Sequence, residues 1–263
     1  MRCCHVVPDQ HLWPEFVSAA EFDNTDIRST PPGPRAPFAL PPSAHGITLW
    51  WCELAHDPGT VAGLATCLSA AEQIRAARFG TDALRTRWIA GRATLRHLLG
   101  ATLGVAAAEV PIRRGLRGRP ELMPATSGID FNVSNTRGVA LIAIGRDLPA
   151  GTRIGVDVER DDRDVGADRL ALKFLTAREQ ATLEGRDADE RRRRFLQYWT
   201  CKEAMSKATG DGLAAPFRRL DVELGAAPRL VAGPPPYEPA HWTLHALPAP
   251  DDYRATLAIW RVP

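Results

Sequence analysis

Five cysteines in 263 residues is a sparse supply, and Cys3, Cys4, Cys52, Cys67 and Cys201 show neither a framework spacing nor a Cys-x-x-Cys pair. An odd, scattered set fits reduced thiols and excludes a disulfide scaffold, so a cytoplasmic location is expected. Long apolar runs are missing as well. No stretch approaches the roughly 20 residues that a membrane span needs, and no apolar core follows positive charge at the N-terminus. Neither insertion nor secretion is expected. An excess of one charge is also absent: 33 Lys and Arg face 31 Asp and Glu, with a net charge of +2. That balance gives no compositional case for a nucleic-acid partner. What is present is a hydrophobic fraction of 44%, enough for one large domain or two small ones.

Residues 1–46 concentrate proline at Pro31, Pro32, Pro34, Pro37, Pro41 and Pro42 without periodicity, and read as an extension. From Ile47 a strand-like run opens the folded part. Ser69 and Glu72 then supply a capping box before an alanine-rich helix, and a second helix is expected over about 83–99. Stretches 129–134, 138–145 and 153–159 read as strands between glycine turns, and further strands are expected near 219–224, 240–247 and 253–262. The order also repeats. Thr176 and Glu179 echo the capping box, and Trp199 echoes Trp88, which suggests an internal duplication. That alignment sets Arg92 opposite Glu203 and Arg96 opposite Lys207. The expected architecture is α+β: two similar subdomains, 47–152 and 153–263, related by a pseudo-twofold.

Two short runs carry the chemistry. Asp157 and Glu159 stand two apart in a β-branched segment, so the strand period points both carboxylates to one face. Ordinary amphipathic patterning, with Ile154, Val156 and Val158 inward and the charges in water, explains the pair equally well. Glu203 lies within about 60° of Phe195 and Trp199 on a helical wheel, which turns a carboxylate toward the buried side. Its compensation is either Lys207, four residues on, or a bound cation. Three carboxylates without clustered histidine or cysteine suit Mg²⁺, a hard ion that shares its shell with substrate phosphates, rather than zinc.

The run Gly155-Val-Asp-Val-Glu159, then Trp199-Thr-Cys-Lys-Glu-Ala-Met-Ser-Lys207, with Phe131-Asn-Val-Ser-Asn135 and Gly118-Arg-Pro120 before them, resembles the 4′-phosphopantetheinyl transferases of the pseudo-dimeric, surfactin-synthetase-activating type. The likeness spans roughly 68–224. It implies Mg²⁺-dependent transfer of phosphopantetheine from coenzyme A to a serine of an apo acyl or peptidyl carrier protein, releasing adenosine 3′,5′-bisphosphate. Carried over residue by residue, it implies a metal at Asp157, Glu159 and Glu203, with Lys207 beside the pyrophosphate. It further implies coenzyme A contacts from Arg75, Arg87, Arg119, Ser134 and Lys202. Glu203 or a metal-bound water is the expected base, and Lys207 the group facing the leaving phosphate.

Two positions depart from the family pattern. Asn135 stands where the family usually has histidine, a neutral amide replacing a potentially charged phosphate contact. Glu72 stands where basic residues are frequent, and its capping role accounts for it. The arginines at 191–194 read as a solvated helix start, with attraction to acidic carrier proteins as a second reading. Two rival functions stay open on sequence alone: a metal-dependent phosphohydrolase acting on nucleotides, and a non-catalytic module binding coenzyme A or carrier proteins. A monomer is expected, since an internal pseudo-dimer needs no second copy.

Overall fold

Two 22-residue helices, Asp82–Leu103 (α3) and Ala188–Thr209 (α6), organise the molecule, and their ends explain their equal length. Each starts at a side chain that caps a backbone N–H, Thr81 or Asp187, and each stops at a left-handed glycine, Gly104 or Gly210. The computed structural model describes residues 46–115, 117–162, 166–225, 227–250 and 252–262, so the proline-rich extension lies outside the described residues except for Gly46.

Ahead of α3 come strand β1 (Ile47–Glu53) and helices α1 (Pro58–Ala65) and α2 (Ala70–Ala77). Behind it come β2 (Ile112–Arg114), β3 (Pro120–Leu122), β4 (Asp130–Thr136) and β5 (Val139–Gly145). The second half runs β6 (Thr152–Arg160), α4 (Ala167–Phe174), α5 (Ala177–Ala181), α6, β7 (Asp221–Glu223), β8 (Arg229–Ala232), β9 (Trp242–Ala246) and β10 (Tyr253–Arg261). The order recurs, and so does the pairing: one antiparallel sheet is β1-β5-β4 and the other β6-β10-β9.

Strand alternation sorts the side chains into layers. Leu49 and Trp51 of β1, Leu141 and Ala143 of β5, Val156 and Val158 of β6 and Leu257 of β10 form one cluster joining the sheets. The opposite face of β5 gives Ile142 and Ile144 to Leu95 and Leu99 of α3. On the second sheet Gly155 faces α6 so closely that an added Cβ would collide with Ala204 O and stand 2.7 Å from Ala208 N. Only glycine permits that approach.

The sheets also meet edge to edge without sharing a ladder. Ile154 N donates to Asp130 Oδ2 at 2.7 Å, Val156 N to Asn132 Oδ1 at 3.1 Å and Val158 N to Ser134 Oγ at 3.3 Å. Polar side chains at alternate positions of β4 thus take the outward N–H groups of β6, which would otherwise be orphaned donors.

The expected register of the repeat is wrong by about a turn. Cap to cap, α3 maps onto α6 at an offset of 106 (187 − 81 and 210 − 104), which sets Arg96 opposite Lys202 rather than Lys207. The contacts agree. Arg96 Nε donates to Glu72 of the first capping box at 2.6 Å and its Nη1 to Val110 O at 3.1 Å. Lys202 Nζ donates to Glu179 of the second box at 2.6 Å and to Phe217 O at 2.8 Å. One buried cation per half ties the short helix to the loop after the long one.

Candidate functional site

Gly155, Asp157 and Glu159 share the β6 face that α6 covers, so the acidic pair is buried beneath a helix rather than solvated at an edge. Asp157 is 4% exposed and Glu159 8%. The amphipathic explanation holds for Ile154, Val156 and Val158 and fails for the two carboxylates. On α6 the residues over this face are Trp199, Glu203 and Lys207, spaced by four and therefore on one flank.

Lys207 Nζ donates to Asp157 Oδ1 at 2.6 Å and to Ser134 Oγ at 2.7 Å, and Ser134 Oγ donates to Asp157 Oδ1 at 2.8 Å. Three elements, β4, β6 and α6, therefore meet in one polar triangle. Asp157 Oδ2 is buried and has no hydrogen-bond partner among the described residues. At the other end Trp199 Nε1 donates to Glu159 Oε1 at 3.2 Å. The indole is held by Phe174, Phe195 and Phe217 at centroid distances of 5.0, 6.0 and 5.7 Å. Aromatic pairs of this kind contribute about 0.5–1.5 kcal/mol each beyond area burial, enough to fix the ring that orients Glu159. Glu203, half-buried, sits one turn from each of these partners.

Among the described residues no three His, Cys, Asp or Glu side chains stand together as a metal cluster. The donor set nevertheless fits Mg²⁺, which is bound through one or two carboxylates and completes its shell with water and phosphate oxygens. The partnerless, buried Oδ2 of Asp157 is the observation that supports the fit, with Glu159 and Glu203 as its acidic neighbours.

Two of the residues expected to contact coenzyme A, Lys202 and Arg119, are held by partners within the protein. Lys202 is 0% exposed, and its ammonium is held by Glu179, Phe174 O and Phe217 O. Burial lowers its pKa and raises that of Glu179, while their mutual attraction opposes both shifts. Arg119 is equally committed: Nε donates to Lys207 O at 2.9 Å, the guanidinium fork grips Asp130, and Nη2 also reaches Phe131 O and Ile154 O. It clasps the β2–β3 hairpin, β4, β6 and the end of α6 together, and so positions Lys207 without facing solvent. Ser134 lies in the triangle. Asn135 is exposed, its Oδ1 3.6 Å from where a Cβ on Gly91 of α3 would stand. Arg87 is half-buried on α3, and Arg75 lies over the Trp88 ring at 5.7 Å. Neither joins the triangle directly.

Sequence reasoning missed Asp130 and Trp199 as site-building residues. The signal for Asp130 was the polar alternation Asp130, Asn132, Ser134 in an otherwise apolar strand. For Trp199 it was the i, i+4 spacing to Glu203. The arginines at 191–194 occupy the first turns of α6 and find partners within the chain, among them Asp168 for Arg191 and Asp161 O for Arg192.

A family model described as the 4′-phosphopantetheinyl transferase superfamily matches residues 153–258, the half that contributes β6 and α6. The 4′-phosphopantetheinyl transferase HetI of Nostoc sp. is 34% identical over 221 residues, covering 81% of this chain and 87% of its own. The chain belongs to the 4′-phosphopantetheinyl transferase superfamily. A putative 4′-phosphopantetheinyl transferase of Synechocystis sp. is 27% identical over 81% of this chain and 84% of its own, and a phosphopantetheinyl transferase of Thraustochytrium sp. is 30% identical over 71% and 69%. The triangle's cation and buried carboxylate lie where β4, β6 and α6 meet. Among the described residues no helix is long and apolar enough to cross a membrane.

Proposed function

We propose that this transferase moves the 4′-phosphopantetheine group of coenzyme A to a serine hydroxyl of an apo acyl or peptidyl carrier protein, with Mg²⁺ as cofactor. The observation that carries the reading is the Ser134–Asp157–Lys207 triangle in a chain of this family. In the reaction the carrier serine oxygen bonds to the β-phosphorus of the pyrophosphate. The bond from that phosphorus to the bridging oxygen breaks, and adenosine 3′,5′-bisphosphate leaves with the electron pair.

Lys207, about a quarter exposed, places a cation where negative charge accumulates on the leaving phosphate. Such stabilisation is strongest for a preorganised group in a water-poor site. Asp157 and Ser134 hold its ammonium, and Arg119 holds its backbone carbonyl. Asp157, Glu159 and Glu203 are the residues that would hold Mg²⁺, which when bound neutralises pyrophosphate charge. Glu203 is the group assigned to accept the serine proton, lying on the same helix flank one turn from Lys207.

The test is intact mass of an apo carrier protein after incubation with enzyme, coenzyme A and Mg²⁺. A gain of one phosphopantetheine is expected, lost with a chelator and with Asp157→Ala or Glu203→Ala in folded protein. Full activity of either variant would remove that residue from the mechanism. Coenzyme A breakdown without carrier would favour the hydrolase instead.

A further inference from the structure

Just beyond Lys207, α6 ends in a polar cluster that the reaction above does not use. Tyr237, from the loop between β8 and β9, is 0% exposed, and its hydroxyl donates to Asp211 Oδ2 at 2.7 Å. Thr209 Oγ1 lies 2.9 Å from the same hydroxyl. The ring is held in place from behind: it stacks on Trp242 at 5.4 Å, Trp242 stacks on Trp260 at 5.6 Å, and the Trp242 indole N–H donates to Pro236 O at 3.0 Å. Burial pushes the phenol's pKa above its ordinary value; Thr209 and Arg117 act to lower it and Glu203 to raise it. The hydroxyl therefore stays a donor, within the fields of Arg117 and of the site carboxylate Glu203.

Thr209 alone could satisfy a buried phenol, so the fold does not need the carboxylate for that purpose. What Asp211 adds is its second oxygen, which pairs with Arg117 Nη1 at the tip of the β2–β3 hairpin. That hairpin belongs to the first half and α6 to the second. Gly115 N donates to Arg119 O at 2.8 Å and Gly118 N to Gly115 O at 2.9 Å, so Arg117 and Arg119 belong to one closed turn. Arg119 Nε in turn donates to Lys207 O, and its stem lies 3.7 Å from where a Cβ on Gly210 would stand. The contacts close a circuit from Lys207 through Gly210, Asp211, Arg117 and Arg119 back to Lys207. Its outer link contributes little to folding: the Arg117 side chain is 66% exposed against 14% for Asp211, and pairs with an exposed partner are weak supports of stability.

We propose that Arg117, Asp211 and Tyr237 are positioning residues for the transfer, a clasp that fixes the last turn of α6 and so sets the Lys207 ammonium against Asp157 and Ser134. The proposal rests on the transfer reaction above and adds three residues to which the family resemblance gives no role. None of the three joins the triangle; their effect passes through the backbone at 207–211.

The experiment compares wild type with Arg117→Gln, Asp211→Asn, Tyr237→Phe and the Arg117→Gln/Asp211→Asn double variant. One readout is kcat and KM with coenzyme A, Mg²⁺ and apo carrier protein. The other is amide hydrogen exchange over 115–119 and 203–211 without substrates. Each single variant should lose about 3- to 10-fold in kcat, the scale of one hydrogen bond. The KM for coenzyme A should stay near wild type, as should the melting temperature of Arg117→Gln. The double variant should be no slower than the slower single one, because both changes break one contact. Exchange at Gly118 and Gly210 should quicken. Multiplied losses in the double variant overturn the clasp, as does wild-type kcat in Asp211→Asn. A raised KM for coenzyme A at unchanged kcat overturns it too, by making Arg117 a ligand. Arg117→Gln alters an exposed side chain, so it answers the question even where Tyr237→Phe folds poorly. Quickened exchange in the variants of a wild type that modifies no carrier would refute the function and leave the clasp standing. A wild type that modifies carrier, beside variants with unchanged kcat and exchange, would do the reverse.

Discussion

Lys202→Met separates two roles for a lysine in the motif that most strongly marks the family. Methionine keeps the length and apolar stem of the side chain and removes its ammonium. Left behind would be the Glu179 carboxylate, 0% exposed, and the Phe174 and Phe217 carbonyls without their donor. Breaking a buried pair from one side costs about 3–5 kcal/mol, because the remaining charge is uncompensated. At roughly 2–4 °C per kcal/mol for a chain of this size, the melting temperature should fall by about 6–20 °C. The loss should depend on pH in a definite direction. Burial already raises the pKa of Glu179, and without the ammonium it must rise further. A group raised in the folded state supports stability below its unfolded pKa and loses that support as pH climbs through the folded one. Lys202→Met is therefore least destabilised in acid, and adding Glu179→Gln should restore part of the loss at neutral pH. Urea denaturation across pH, beside coenzyme A kinetics on the folded variant, decides the matter. Unchanged stability with a raised KM for coenzyme A would refute the structural role and return Lys202 to the ligand set.

Gly155→Ala forces α6 off β6, because the added methyl meets Ala204 O and Ala208 N; overpacking of this kind costs about 1–3 kcal/mol. Since α6 carries Glu203 and Lys207, kcat should fall too, and wild-type kcat would show that helix placement does not govern the site. Arg119→Lys keeps the charge but loses the bidentate grip on Asp130 and the anchor on Lys207 O, a loss of charge-assisted hydrogen bonds worth about 1.5–3 kcal/mol. Its signature should be a drop in kcat and stability with little change in the KM for coenzyme A; the opposite split would make Arg119 a nucleotide ligand. For Glu72, burial acts to raise the pKa, but the Arg96 hydrogen bond, the Ser69 N–H and the charges of Arg92 and Arg96 outweigh it and hold the value below 4.5. A lowered carboxylate stabilises the fold above its unfolded pKa and ceases to as pH falls through the folded one. Glu72→Gln should accordingly flatten the acid limb of the stability profile below about pH 4.5, and an unaltered limb would remove Glu72 as its source.

What sequence reveals here follows the range of the interaction. Capping boxes, strand alternation and the shared face of Asp157 and Glu159 depend on neighbours within four residues, so they are legible directly. The register of the repeat is hard to read from sequence because Trp88 and Trp199 are conspicuous, whereas the helix ends are set by Thr81, Asp187 and two glycines. The change from Arg96 to Lys202 conceals an equivalence that appears only when both are seen gripping a capping-box glutamate. The internal partners of Arg119 are hidden for a related reason. Its partners stand 11, 12, 35 and 88 positions away, so no local pattern distinguishes a clasp from a phosphate ligand. The polar alternation in β4 has the same character: Asp130, Asn132 and Ser134 make sense only once β6 lies alongside with its N–H groups turned outward. Ser134 then has two duties, accepting from Val158 N in the seam and joining Asp157 and Lys207 in the triangle. The site is built where the halves are laced together, so changes that loosen the seam should act first on Lys207 and on kcat, before they act on the separate cores around α3 and α6.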